Sequence, residues 1–339
     1  MKIPESEYTI SALIDKHHES IQSEPRPHMG ASILGHPCDR WLWLNFRMAV
    51  IERFPGRILR LFRRGQDEEA KVVSDLRAIG ISVQKTGLNQ SRVDFGCHVS
   101  GSIDGIIEHG VPEAPKGRHV LEIKTHAKKS FDDVLKNGVE KSKPQHYVQM
   151  QMYMAGMKID RALYLAVCKD DDRIYTERVK FDKDVAQKAI ERGHRLATSD
   201  RMPPPLSTDP TWFECRFCAA HEFCHKTKLT KEVNCRTCCH STPKEDGTWH
   251  CASYDVEIPT DNQRDGCNAH VLHPDLVPWP HEFDGQHVIW ITPEGKIKNG
   301  EKDGDVYEST EIVANPQACV QSDDFIKEMR DIFGGKVVG

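Results

Sequence analysis

Val120-Leu121-Glu122-Ile123-Lys124-Thr125, preceded by Ser102-Ile103-Asp104-Gly105, decides how this chain is read. Both are short aliphatic and β-branched runs bounded by Gly, Pro and charges, which is the pattern of strands. Residues two apart on a strand share a face, so Glu122 and Lys124 point one way while Leu121 and Ile123 point into a core. The intervening Gly110, Pro112, Pro115 and Gly117 make a loop, so the two runs can pair as a hairpin that brings Asp104 beside Glu122. Two converging carboxylates repel, and a divalent cation relieves that repulsion. The alternative is an edge strand carrying a surface Glu–Lys pair.

Outward from this stretch, 339 residues suggest one large domain with accessories. No run of 18 apolar residues is present, so no membrane partner is expected. Met1–Ile10 carries Lys2, Glu5 and Glu7 and does not read as a secretion signal, which with the cysteine usage gives a cytoplasmic expectation. Twelve cysteines without an export signal favour metal binding over disulfides. A net charge of −5 gives no global sign of nucleic-acid binding. Locally, five arginines and no acid lie between Arg53 and Arg64, and Arg53, Arg57, Arg60 and Arg64 keep helical spacing. Lys116–Lys143 holds eight Lys or Arg against four acids. Either cluster alone is explained by a solvated helix face; two flanking one site favour a polyanion such as DNA.

In chain order, residues 1–29 read as a polar helix and a Pro-rich connection. Pro37 opens a short helix carrying Trp41, Leu44 and Met48, with Cys38 at its N-terminal end. A helix running to about Ile79 has Val73 and Leu76 on its apolar face, and Glu69 borders that face. Ile81–Lys85, Arg92–Phe95, Val99–Ile107 and His119–Thr125 read as successive strands of an antiparallel meander. Pro144 starts a helix on which Gln145, Gln149 and Tyr153 form one polar face, either solvated or turned toward the Asp104–Glu122 site. Arg161–Cys168 and Arg173–Lys180 are strands and Asp182–Thr198 is a helix. The fold class is α/β, built on a mixed central sheet flanked by helices.

Taken together, these residues resemble the PD-(D/E)XK nucleases, in particular the RecB-type and phage lambda-exonuclease-type branches, over about residues 30–226. Asp104 matches the motif aspartate, Glu122-Ile123-Lys124 matches E-x-K, and Gly65 with Glu69 matches the G-x-x-x-E helix. Gln149 with Tyr153 matches the Q-x-x-x-Y helix, and Gln149-Met150-Gln151 is similar to the Q-x-Q of phage exonucleases. One departure is Glu69, where many RecB-type relatives have histidine. The resemblance implies Mg²⁺ or Mn²⁺ held by Asp104, Glu122, the Ile123 carbonyl and Glu69. It implies catalysis by Lys124, with Gln149 and Tyr153 ordering the site or the phosphate backbone. The reaction implied is phosphodiester hydrolysis at DNA ends in recombination or end processing, by a phage-encoded protein with a single-strand annealing recombinase or a helicase as partner. Arg57, Arg60 and Arg64 are the expected DNA contacts. A structure-specific or CRISPR-adaptation-like endonuclease, or a non-catalytic DNA-binding module, are the alternatives.

Cys215-Arg216-Phe217-Cys218 and Cys224 follow a proline-rich junction and supply three thiolates, for which Cys38 is the best fourth. This layout resembles the iron–sulfur nucleases, including the AddB-type subunit and the CRISPR adaptation nucleases, and implies a [4Fe–4S] cluster, with zinc as the alternative. Farther on, the Cys235/Cys238 knuckle with Cys251 and Cys267 makes a plausible structural Zn²⁺ site. Cys239, His240, His250 and His270 are possible substitutes, and free buried cysteines are the plain alternative. The expected organisation is an N-terminal segment 1–29, a nuclease domain 30–226, a zinc module 227–284 and an α+β extension 285–339. That extension has a strand at Val288–Ile291, a Gly/Lys/Asp-rich turn at Gly295–Asp305 and a helix around Asp323–Ile332.

Overall fold

The computed structural model describes residues 9–285, 287–320 and 332. The elements of the first part of the chain are α1 (Ile10–Ser20), β1 (Met29–Gly30), α2 (Asp39–Phe46), α3 (Gly56–Ala78), β2 (Val83–Gln84), β3 (Arg92–Gly96), β4 (Val99–Ser102) and β5 (Gly105–Ile107). Then come β6 (His119–His126), α4 (Lys128–Ser142), α5 (Pro144–Met157), β7 (Arg161–Cys168), β8 (Ile174–Lys180) and α6 (Lys183–Ala197). Beyond them lie α7 (Phe213–Arg216), β9 (Ser241–Pro243), β10 (Trp249–Cys251), β11 (Val256–Glu257), β12 (His281–Phe283), β13 (Val288–Thr292), β14 (Gly295–Asn299), β15 (Val306–Tyr307) and α8 (Ser309–Ala314). Two compact units share them. The first takes the chain up to His36 together with Glu52–Arg195; the second takes Pro37–Ile51 and the chain from Leu196.

The first unit is mixed α/β. Its main sheet has the order β2-β5-β6-β7-β8. β6 and β7 run parallel, which demands a crossover, and α4 and α5 supply it; the other neighbours are antiparallel. One face of this sheet is apolar: Leu121, Ile123, Leu163, Leu165 and Val167 pack with Val72, Val73 and Leu76 of α3. The other face of β6 carries Glu122, Lys124 and His126. A second sheet, β1-β4-β3, pairs β1 parallel to β4.

The run Val99–Ile107 is not one strand in a meander. It breaks at Ile103-Asp104, and β4 and β5 belong to different sheets. The cause lies on the neighbouring strand: the Ile123 amide of β6 donates to Asp104 Oδ2 at 2.8 Å, so a side chain replaces the next backbone acceptor and the β5–β6 ladder stops at Gly105↔Leu121. The basic stretch before Pro144 contains α4, which buries Phe131, Val134 and Val139. Gly138 breaks α4 with φ 75°, a conformation side chains resist. The break lets the Val139 amide donate to Glu177 Oε2 at 2.8 Å.

In the second unit, Cys38 caps α2, its Sγ accepting from the Trp41 amide. Trp43 and Leu44 of α2 are buried with Ala220, Phe223 and Leu276, and Cys218 and Cys224 border that cluster. Arg236, inside the cysteine knuckle, is buried and donates to the Phe46 carbonyl at 2.7 Å and to Gln263 Oε1 at 2.6 Å. Two small sheets follow, β11-β10-β9 and β12-β13-β14-β15. The expected turn at Gly295–Asp305 instead begins with strand β14, because Ile297 and Asn299 turn inward opposite Trp290 and Val288 while Lys296 and Lys298 turn outward. The expected helix at Asp323–Ile332 lies outside the described residues except for its last position.

Candidate active site and cysteine clusters

Glu122 is the centre of the first unit's polar face. It has no exposed surface, and neither carboxylate oxygen makes a hydrogen bond of good geometry. The Lys124 ammonium stands in ion-pair contact with Oε1. Burial pushes the Glu122 carboxyl up to about 7; Lys124 pulls it down, and the neighbouring Asp104 and Glu69 push it further up. Burial also opposes the Lys124 charge, yet Glu122 and Asp104 together outweigh it and hold the ammonium protonated above its ordinary range. Asp104 arrives from the break between β4 and β5, anchored on the Ile123 amide. Glu69 arrives from α3, with Gln90 Nε2 donating to its Oε1 at 2.8 Å. Burial raises the Glu69 pKa and Asp104 raises it further.

From α5, Tyr153 and Gln149 are both buried, so their helix face is not solvated. Gln149 Nε2 donates to Tyr153 Oη at 3.4 Å. Burial and then Glu122 and Asp104 suppress ionisation of the Tyr153 phenol, which places the hydroxyl within the electrostatic reach of both carboxylates. Gly101 makes the room: a Cβ there would stand 2.6 Å from Tyr153 Oη. Gln151, the second glutamine of the Q-x-Q pattern, works elsewhere. Its amide donates to the Lys180 carbonyl and accepts from the Asp182 amide, tying α5 to the corner between β8 and α6.

The structure thus gathers Glu69, Asp104, Glu122, Ile123, Lys124, Gln149 and Tyr153 in one region of one unit. Three carboxylates, the buried and under-bonded Glu122 with Asp104 and Glu69 beside it, make an oxygen-rich, electron-rich set, which fits a hard divalent cation. The arginines are less uniform. Arg57 is exposed, but Arg60 pairs with Asp15 at 3.2 Å and Arg64 donates to the Lys169 carbonyl at 2.8 Å. Residues that motif reading missed include Gln90, Gly101, the buried His126 and Tyr164, and the half-buried His146. His126 was signalled by its period-two continuation from Glu122 and Lys124; the others lie on separate elements with no local pattern.

In the second unit, Cys38, Cys215, Cys218 and Cys224 are close enough to perturb one another. Burial raises the Cys218 thiol to about 11, with Cys224, Cys38 and Cys215 adding to the effect. Cys215 and Cys224 are raised in the same way, burial first. A second set, Cys235, Cys238, Cys251 and Cys267, lines a cavity of about 20 Å³ with His240 and His270. Burial raises Cys235 to about 11, helped by Cys267, Cys238 and Cys251. Cys238 goes the other way, its thiol lowered chiefly by a hydrogen bond with Cys239; the thiols that burial holds protonated gain most from a soft cation that stabilises their thiolates. Among the described residues, however, no three His, Cys, Asp or Glu side chains already stand in a metal-holding arrangement, so an ion at any of these places would have to draw its ligands in. No described helix is long and apolar enough to cross a membrane.

No protein-family model matches the chain, and no curated protein matches it in sequence. Among solved structures it is similar to SSO0001, at 14% identity over 65% of this chain and 98% of that one, with a TM-score of 0.41. It is similar to the alkaline exonuclease LHK-Exo from Laribacter hongkongensis, at 17% identity over 53% of this chain and 90% of that one, with a TM-score of 0.37. It is also similar to a phage-related exonuclease from Haemophilus somnus 129PT, at 21% identity over 38% of this chain and 65% of that one, with a TM-score of 0.27. At these scores the likenesses are loose.

Proposed function

We propose that the first unit is a metal-dependent deoxyribonuclease acting on DNA ends. The observation that carries this reading is the buried Glu122 carboxylate, without a well-formed hydrogen bond and shared between Lys124 and the carboxylates of Asp104 and Glu69. Such a group is costly unless a ligand completes it. Asp104, Glu122 and Glu69, with the Ile123 carbonyl, would hold Mg²⁺ or Mn²⁺. When bound, that ion supplies Lewis-acid stabilisation of charge on a phosphate. Lys124 is held protonated, so its role is that of a cation: it orients the attacking water and offsets the negative charge that develops on the phosphate. Tyr153 stays a neutral hydroxyl and, with the Gln149 amide, offers hydrogen bonds to the phosphate backbone. Arg57, exposed on α3, is the proposed contact to that backbone in the solvent. Preference for ends rests on the motif resemblance.

The test is incubation of linear and covalently circular DNA with Mn²⁺. The expected result is degradation of the linear form alone, with Lys124→Ala slower by at least about 100-fold, as for loss of one transition-state-stabilising group. Nicking of the circle would assign an endonuclease instead. DNA binding without cleavage of either form would assign a binding module.

The two thiol sets of the second unit give a companion proposal. Cys38, Cys215, Cys218 and Cys224 hold a [4Fe–4S] cluster, and Cys235, Cys238, Cys251 and Cys267 hold Zn²⁺. What supports it is the mutual crowding of each set and, for the second, a cavity of about 20 Å³, on the scale of a single water or ion. Protein prepared without oxygen should contain iron, acid-labile sulfide and zinc. Cys38→Ala should lose the iron and keep the zinc. Zinc at both sets with no iron would overturn the cluster assignment.

A further inference from the structure

The polar face of β6 does not end at Lys124. His126 continues it and is buried, and β7 contributes Tyr164, the register partner of Glu122, with no exposed surface. The Tyr164 hydroxyl lies 2.8 Å from His126 Nε2 and 3.0 Å from His146 Nδ1. Ser130 Oγ lies 3.1 Å from the other nitrogen of His126. Four groups from β6, β7, α4 and α5 therefore form one hydrogen-bonded chain. His146 sits three residues before Gln149 and seven before Tyr153, so all three share a face of α5.

Proton counting fixes the state of this chain. A hydroxyl between two imidazole nitrogens can accept from one and donate to the other. Either direction along Ser130–His126–Tyr164–His146 satisfies every link with both rings neutral. Protonating the ring that accepts from Tyr164 would set two donors against each other. The surroundings agree: burial lowers His126 to about 4, with Lys143, Lys169 and Lys124 contributing, and lowers His146 to about 3, with Lys124, His126 and Lys143 contributing.

We infer that Tyr164 is a positioning residue: its hydroxyl pins the first turn of α5 to β6 and so sets where Gln149 and Tyr153 stand beside Glu122 and Lys124. This rests on the nuclease reading for its consequence in catalysis, but the pinning is a property of the metal-free protein. Removing the hydroxyl leaves the ring packed and frees the helix to shift, and a shift of about 1 Å in a positioning group can cost up to about 100-fold in rate.

The experiment compares wild type, Tyr164→Phe and, as a control, Tyr175→Phe, whose hydroxyl donates to Glu177 at 2.8 Å outside this chain of bonds. Tyr164→Phe should lower kcat by about 10- to 100-fold while KM for linear DNA stays within about twofold, the split expected of lost positioning. Tyr175→Phe should change neither. In the metal-free protein, the Gln149 side-chain amide resonance should move in Tyr164→Phe and stay in place in Tyr175→Phe. An unmoved Gln149 resonance overturns the inference whether or not wild type cleaves DNA. Absence of cleavage by wild type sinks the nuclease reading and leaves the resonance to decide the pinning. If Tyr164→Phe melts early, His146→Gln, which can still bond the hydroxyl, is compared with His146→Leu, which cannot. A moved Gln149 resonance in His146→Leu alone supports the inference, and equal spectra overturn it.

Discussion

Glu122 is a carboxylate with no exposed surface and no well-formed hydrogen bond. Its folded-state carboxyl titrates near 7, above the ordinary 4.5. Between those values the folded protein keeps a proton that the unfolded chain has released, so in the metal-free protein this residue's contribution to stability falls as pH rises from about 4.5 through 7. Glu122→Gln removes the titration. Thermal melts without metal should therefore show the stability of Glu122→Gln relative to wild type increasing across that window, and a constant difference would contradict the assignment. Gly101 is the second residue with a sharp expectation. A methyl there meets Tyr153 Oη at 2.6 Å and Cε1 at 2.9 Å, so Gly101→Ala should displace Tyr153 and cost about 1–3 kcal/mol by overpacking, read from denaturant unfolding. Neither residue's environment is written in the sequence. The E-x-K spacing puts Glu122 and Lys124 on one face, but burial of that face depends on α5, and no local pattern links Gly101 to Tyr153.

Among the elements, those with a complete local signal were legible. β7 was readable at Arg161–Cys168 because an unbroken aliphatic run ends in charges on both sides. The helix from Pro144 was announced by its first-turn proline. The strand read as Val99–Ile107 failed for a non-local reason: only when β6 is in place does its Ile123 amide capture Asp104 and divide the run. α4 was hidden by its own charge, because Phe131 and Val134 are spaced as a helix face inside a stretch dominated by lysine. α3 offers a test of motif thinking at this scale. Gly65 matches a motif position, yet a Cβ there would lie 3.6 Å from Thr125 Oγ1, an ordinary contact. Gly65→Ala should accordingly stabilise the first unit by about 0.5–1 kcal/mol through helix propensity, visible as a higher melting temperature. A fall in DNA cleavage alongside that gain would show that substrate approaches the helix backbone at Gly65.

Across the whole molecule, the oxygen-rich site and the thiol sets fall in different units. This separation predicts how cofactor removal reads out. Calorimetry should resolve two transitions, and anaerobic treatment with a thiophilic chelator should lower the one belonging to the second unit while leaving the first within a degree or so, since bound metal at thiolates is folding free energy for the unit that holds it. A single transition moved as a block would show that the units melt together. The division itself was not legible, because Pro37–Ile51 is joined to its unit only through contacts with residues from Leu196 onward.

That out-and-back path has a consequence for synthesis. The Cys38 helix leaves the ribosome long before Cys215, Cys218 and Cys224 exist. At about 5–20 residues per second, it waits on the order of ten seconds for the segment it packs against. Throughout that interval Trp43 and Leu44, which end with no exposed surface, face water beside a lone thiol. The nascent chain thus exposes apolar surface and a thiol at one place, and the order of translation decides that the Cys38 helix is covered only after the whole first unit has been made.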